Sequence, residues 1–460
     1  MTLNLLPGSG KKQESLFKTA NMRMMRHLLI TALLFSGYIS SGQKILTLEE
    51  AVATALQNNF DIRVSKNDSI VAALDYSYRY GAFLPQVNAS VGTLWNNNNQ
   101  KQTLADGTKR EQKGIKSNNL SSSLNLNWTL FDGLKMFATL EKAEEIVKLG
   151  ELTIKNQVIN TVAAVVNNYY NIAAQKQQLK AIQEVMSVSE ERVRLAQNRL
   201  DIGVGVKPDV LQSKVDLNAQ RANILTQETL IAQLKEQLNQ AMNVAQHTPY
   251  DVQDSIPINH ELALGEIQNG IDETNPSLLI GQKNITISKI TLKERKADQF
   301  PLLSFNSAYN FSRTNNKAVI NNFSLLFNQN QGFNYGFSLA IPILNNFNVQ
   351  RLIRQARHDI TYQQLLYDNQ RSLLNLDVVN AFISYEQQKK ALTLEEENIL
   401  LAKENVSIIV QTLRLGASTI IQLREAQQSL ENAYTRLITA RYNTKLAETE
   451  LRRLKGDLVK

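Results

Sequence analysis

Histidine is the usual side chain for proton transfer near neutral pH and for zinc ligation. This chain of 460 residues has four, His27, His247, His260 and His358. They are isolated, and no H-E-x-x-H pair puts two ligands on one helix face. No G-x-S-x-G elbow presents a serine nucleophile, and Gly8-Ser9-Gly10-Lys11 lacks the spacing of a phosphate-cradling Walker loop. Cysteine is absent, which excludes thiol catalysis, disulfides, Cys-ligated zinc, iron–sulfur clusters and an acylated N-terminal Cys anchor. The carboxylates Glu395-Glu396-Glu397 lie in a heptad-patterned stretch, where a solvated helix face is expected. No enzyme, cofactor or metal site is expected.

The remaining candidates are charges and turns, and their meaning depends on the elements that carry them. Gly and Pro total 27 residues, so few breakers interrupt the chain and long helices are expected. The net charge of +8 suggests nucleic acid, but residues 1–42 alone carry +4 of it. The rest mixes signs, and the Phe residues alternate with Asn and Ser instead of interleaving with a basic patch, so nucleic-acid binding is not expected. One apolar stretch stands out, Leu28 to Ile39, behind Arg23 and Arg26 and ahead of Ser40 and Gly42. Basic flank, short apolar core and small-residue cleavage site describe a secretory signal peptide, so residues 1–42 are read as an N-terminal extension and export signal. No second stretch of that length exists, which excludes a helical multi-span membrane protein.

The chain also aligns with itself. Asn59-Phe60 matches Asn275-Pro276, and Pro85 matches Pro301, at an offset of 216. Further on the offset is 213: Leu200-Asp-Ile-Gly203 matches Leu413-Arg-Leu-Gly416, and Leu217 matches Leu430. Two structural repeats are expected, 43–258 and 272–456, each a short helix, two strands, a very long helix, a Gly turn and a second long helix. Leu179, Ile182, Met186, Ser189, Val193, Ala196 and Leu200 step by 3 and 4; Val210, Leu217, Ile224, Ile231 and Leu238 step by 7. The second repeat has Ile399, Ala402, Val406, Ile409 and Leu413, then Leu423, Leu430, Leu437, Thr444 and Leu451. These spacings specify antiparallel coiled-coil hairpins. Leu134 to Leu200 contains no Pro, and 67 residues of helix extend roughly 100 Å.

Strands are expected near 84–95, 120–131, 301–312 and 333–343, where apolar and polar residues alternate. The apolar partners include Val87, Trp95, Trp128, Phe305, Phe333 and Phe337, and the other face is Asn, Ser and Gly. A half-buried soluble sheet gives the same alternation, but no other sheet element exists for these faces to cover. Lipid outside and water inside is the pattern of a transmembrane β-barrel. Four strands cannot close one, and open edges in hydrocarbon leave backbone groups unpaired. Copies must therefore pool their strands: two would give eight, and three would give twelve with room for a passage. The Asn- and Gln-rich stretches Asn96–Asn119 and Thr314–Gln331 are expected as long extracellular loops. The competing reading is a periplasmic coiled-coil adaptor or structural protein, which would need a soluble sheet and no duplication.

These residues resemble the bacterial outer-membrane efflux proteins of the TolC family. The matching segments are Leu46-Thr-Leu-Glu-Glu-Ala-Val52, Ala55-Leu-Gln-Asn-Asn59, Phe83-Leu-Pro85, Trp128-Thr-Leu-Phe-Asp-Gly133 and Gly203 with Asp209-Val-Leu-Gln212. The resemblance implies a mainly α fold with a transmembrane β part: long coiled-coil hairpins and four strands per protomer. These build a trimeric twelve-stranded barrel in outer-membrane lipid, continued by a helical periplasmic tunnel. It further implies a periplasmic adaptor and an inner-membrane RND or ABC transporter as partners in efflux or type I secretion. The hairpin turns Gly203, Gly205, Val206 and Gly416, Ser418, Thr419 then correspond to the adaptor-contacting tip. Positions Gln422 and Glu425 correspond to the family's acidic pore constriction, with Asp209 as a further acidic candidate. Gln422 departs from that pattern, since an amide stands where a carboxylate is expected.

Overall fold

The computed structural model describes residues 44–259, 262–320 and 323–459. The export signal and two of the four histidines, His27 and His260, lie outside them. The chain runs β1 (Ile45–Leu46), α1 (Leu48–Asn58), α2 (Phe60–Ser77), a 3-10 turn (Arg79–Phe83), β2 (Gln86–Thr103) and β3 (Lys109–Phe131). Two long helices follow, α3 (Lys135–Asp201) and α4 (Lys207–Met242). Then come β4 (Asp251–Val252), α5 (Leu264–Gln268), α6 (Ile271–Thr274), α7 (Pro276–Ala297), β5 (Leu302–Asn316), β6 (Phe327–Ala340), α8 (Asn348–Arg414) and α9 (Ile420–Lys455). The helices α3 and α8 each have 67 residues, and α4 and α9 each have 36. At 1.5 Å per residue the longer pair extends about 100 Å.

Heptad side chains close the hairpins. In α9, Leu423, Leu430, Leu437, Thr444 and Leu451 are all buried, and in α4 so are Val210, Leu217, Ile231 and Leu238. The small buried Ala402 and Ala433 share one cluster with Leu430 and Val406 and let the helices of the second hairpin approach closely. The largest core lies halfway along, where Tyr169 and Tyr170 pack with Leu234, Leu238 and Val252, and Tyr169 donates to the Leu46 carbonyl at 2.8 Å. There β1 pairs in parallel with β4 and ties the start of the described chain to the first hairpin.

The 36-residue helices are too short to follow their partners all the way to the sheet, and the chain extends each with a separate helix. Asn59 caps α2 by accepting from the amides of Asp61 and Ile62, while its own amide donates to Ala241 at the end of α4. Asn275 does the same in the second copy, accepting from Ser277 and Leu278 and donating to Leu454 at the end of α9. One buried amide thus satisfies the orphan donors of one helix and an orphan carbonyl of the next. This is the physical content of the Asn59–Asn275 match.

At the other end the four strands form one antiparallel sheet in the order β2-β3-β5-β6. Its register sorts the side chains cleanly. One face carries rows such as Val87, Leu126, Ser307, Tyr335 and Ala89, Leu124, Tyr309, Phe333. The other carries Asn88, Asn125, Ala308, Asn334 and Ser90, Ser123, Asn310, Gly332. The strands are longer than the alternation implies. The stretches expected as loops are strand for much of their length: β2 and β3 pair out to Thr103 and Lys109, and β5 and β6 to Asn315 and Phe327. Beyond the apolar band both faces are polar, so pairing continues without an alternating signature. Gly133 makes the turn from sheet to α3 at φ +74°, with Ala297 and Phe300 packed so closely that no Cβ fits.

Candidate functional site

Three regions of this architecture bear on function: the sheet, the two hairpin turns, and the seam where the hairpins meet. Both turns use the same helix-ending motif. After α3 the amide of Gly203 donates to Leu200 and that of Val204 to Arg199; after α8 the amide of Gly416 donates to Leu413 and that of Ala417 to Thr412. These paired bonds satisfy the last carbonyls and place Gly203 and Gly416 at φ +79°, where glycine is favoured. The space around both glycines is open, so a larger side chain would point into solvent. Gly205 differs, because a Cβ there would lie 2.8 Å from the Leu200 amide nitrogen.

Each turn is surrounded by exposed apolar side chains, Ile202, Val204 and Val206 in the first and Leu415 and Ile421 in the second. Of these, sequence reasoning named only Val206. Their signal was available, since branched apolar residues flanking a turn glycine have no heptad partner. Ser418 hydrogen-bonds Thr412 across the second turn at 2.5 Å. Thr419 caps α9 by accepting from the Gln422 amide, and the Gln422 side chain returns to the Thr419 amide at 2.9 Å. Gln422 is thus engaged in a capping box, which the spacing Thr419-x-x-Gln422 encodes. Glu425 is exposed and, among the described residues, makes no ion pair. Asp209 sits in the first turn of α4, where negative charge is favoured by the helix dipole. No hydrogen bond joins Asp209 to Gln422 or Glu425 within one protomer.

Above the turns the hairpins are tied by a polar seam. Arg192 on α3, only 2% exposed, donates to Asp216 on α4 at 2.6 Å, and Arg424 on α9 reaches the same carboxylate at 3.5 Å. Gln427 donates to the Val185 carbonyl at 3.1 Å and to the Ser189 hydroxyl. Gln220 donates to Glu431, Arg414 pairs with Glu191 at 2.8 Å, and Tyr434 donates to Glu184. A cavity of about 160 Å³ lies among Ser189, Arg192, Asp216, Gln220, Arg424 and Gln427. Arg192 Nε and Gln427 Oε1 have no protein partner there, so the cavity is polar and roomy enough for water. Burial pushes the Arg192 guanidinium down, against the pull of Asp216. Burial also pushes the Glu191 carboxyl up, but Arg414 and Arg194 outweigh it and hold it below the usual carboxylate range. Arg192 escaped sequence reasoning because a charged residue beside a heptad seam is expected in solvent; the small Ser189 one turn away makes room for it.

The remaining histidines assemble no chemistry. His247 is exposed beside Glu236 at 3.2 Å, and His358 lies on the surface of α8. Among the described residues no helix is long and apolar enough to cross a membrane. A sheet with one lipid-like and one water-like face, continued by helical hairpins about 100 Å long, defines an outer-membrane channel protomer.

The chain belongs to the outer membrane efflux protein family, whose sequence pattern matches residues 51–244 and 272–457. It is similar to the outer membrane efflux protein BepC of Brucella suis, 22% identical with 93% of this chain and 89% of that protein covered. It is also similar to the outer membrane protein TolC of Escherichia coli, 21% identical with 94% and 86% covered. Among solved structures, the Campylobacter jejuni CmeC outer membrane channel shares the fold, with a TM-score of 0.72, 14% identity and 90% and 86% of the two chains covered. The protein is therefore an efflux channel component of the outer membrane.

Proposed function

We propose that three copies pool their sheets into a twelve-stranded barrel and their hairpins into a periplasmic tunnel. The channel then passes small molecules or proteins from an inner-membrane RND or ABC pump, through a periplasmic adaptor, to the exterior. The single observation that carries this reading is the four-stranded sheet with two open edges, β2 and β6, and one face that carries a band of mainly apolar rows. Edges of that kind are not tolerated in hydrocarbon and must be paired with another copy. The exposed apolar turns Ile202–Val206 and Leu415–Ile421 fit the role of the adaptor-contacting tip, with Gly203, Gly205, Gly416, Ser418 and Thr419 shaping it.

Glu425 is the residue we assign to a cation-attracting ring at the tunnel mouth, three copies being brought together by the symmetry. Gln422 contributes shape there instead of charge, because its side chain closes the helix cap. A photo-crosslinking residue placed at Val204 or Ala417 in cells is expected to capture a coiled-coil adaptor identified by mass spectrometry, and one placed at Asp106 is not. Equal capture from both ends, or none at the turns, would remove the tip assignment. Glu425→Gln is expected to lower cation preference in planar-bilayer conductance, and unchanged ion preference would take Glu425 off the mouth.

A further inference from the structure

The apolar face of the sheet is banded along the strands, and what lies above the band is not explained by channel function. The rows from Leu303 and Leu339 up to Val91 and Phe311 are dominated by apolar side chains. They cover roughly 27 Å along the strand, or about 20 Å along the membrane normal at the usual barrel tilt. The rows beyond carry Arg313 beside Thr93 and Leu120, then Trp95 and Phe327 in a row with Asn118 and Asn315. Aromatic residues at that height mark the hydrocarbon–headgroup boundary.

Immediately outside this boundary, and on the same outward face, Lys116 stands opposite Lys317. The amide of Lys317 donates to the Lys116 carbonyl at 2.8 Å, which continues the β3–β5 ladder by one residue. Directly opposed like charges destabilise a strand pair. Lys116, Lys317 and Arg313 are all exposed, and among the described residues none of the three has an acidic partner. The acid nearest in sequence, Glu111, is held by Lys101 and Lys113 further up the hairpin. The wider surroundings have the same sign. Residues 96–119 carry five basic and two acidic side chains, and residues 313–331 carry two basic and no acidic ones. Both strands are interior to the sheet, so pairing of its edges leaves this surface open.

We infer that Lys116 and Lys317, with Arg313 reaching up from the boundary row, form a docking site for the phosphorylated headgroup of an outer-leaflet lipid. The height of the site above the apolar band places it at headgroup level. An anionic phosphate also supplies the neutralisation that the opposed lysines lack. This rests on the barrel reading above, and that reading is checked first by whether the detergent-solubilised protein runs as a heat-modifiable oligomer. The same preparation is then titrated with bisphosphorylated lipid A in mixed micelles and followed by native mass spectrometry.

K116S/K317S is expected to weaken lipid A binding about tenfold, while K116R/K317R and the control pair K101S/K109S, further up the hairpin, leave it unchanged. Lipid A stripped of its phosphates should bind the parent protein as weakly as bisphosphorylated lipid A binds K116S/K317S. The inference is overturned if K101S/K109S loses as much as K116S/K317S, which would make the effect one of net charge alone. It is equally overturned if millimolar inorganic phosphate displaces the lipid fully, which would make the site one for free anions. Intact heat-modifiable oligomers in every variant separate these failures from failure of the barrel.

Discussion

The sharpest consequence of the seam concerns Asp216. Its carboxylate pairs with Arg192 at 2.6 Å, and the Arg192 side chain is 2% exposed. Replacing Asp216 with Ala leaves that guanidinium buried, unpaired and facing Arg424. Removing one partner of a buried pair costs about 3–5 kcal/mol, and the partial exposure of Asp216 puts the expected loss at the lower end, about 3 kcal/mol. Because each 1.36 kcal/mol is a factor of ten, local opening of the hairpins should rise about 150-fold. Native-state hydrogen exchange by mass spectrometry, read on peptides covering 185–220 and 420–431, measures this directly. The double variant R192M/D216L removes both charges and keeps similar volume, so it should recover most of the lost protection. Exchange in Asp216→Ala within threefold of the parent would show that the ion pair does not hold the seam. A double variant as loose as the single one would assign the effect to packing instead of to an unpaired charge.

Four further outcomes are expected. Gly133→Ala forces a Cβ to within 2.5 Å of the Ala297 carbonyl at φ +74° and should sharply lower the yield of the assembled, heat-modifiable form. Gly203→Ala meets open space and should cost only the left-handed strain, about 1 kcal/mol, in thermal unfolding. Asn275→Ala removes a helix cap and orphans the buried Leu454 carbonyl, for an expected loss of about 2–3 kcal/mol in thermal or denaturant unfolding, and Asn59→Ala should behave alike. Glu191 is held below its ordinary value of 4.5, so its contribution is complete above that pH and is lost as pH falls through its lowered folded value. Thermal stability should therefore be level from pH 7 to 5 and decline toward pH 3, and Glu191→Gln should show a shallower decline.

The helical hairpins were legible because heptad and 3–4 spacing survive in sequence wherever a seam is dry, as from Leu423 to Leu451. The strands were legible only inside the membrane band, where lipid and lumen enforce opposite chemistry on alternate residues. Past the row of Trp95 and Phe327 polar side chains, many of them Asn and Gln, stand on both faces, and a paired strand looks like a loop. The alignment of Asn59 with Asn275 was visible, but the use of that amide was not, because its acceptors lie 182 and 179 residues away. The capping box of Thr419 and Gln422 was readable from the Thr-x-x-Gln spacing alone. Arg192 could not be found by pattern, since its burial depends on the small Ser189 on its own helix and on Gln427 from the other hairpin.

The central claim is that the open edges β2 and β6 pair between copies to close a three-protomer barrel. The chain has no cysteine, so introduced ones form unambiguous cross-links. A panel of double-Cys variants, one Cys on β2 between Asn88 and Gly92 and the other on β6 between Gln331 and Tyr335, can be oxidised in intact cells and resolved by denaturing gel. The expected result is, for at least one register, a ladder ending in a covalent trimer that reverts to monomer on reduction. Monomer alone across the whole panel, or a ladder that stops at dimer, would contradict the shared barrel.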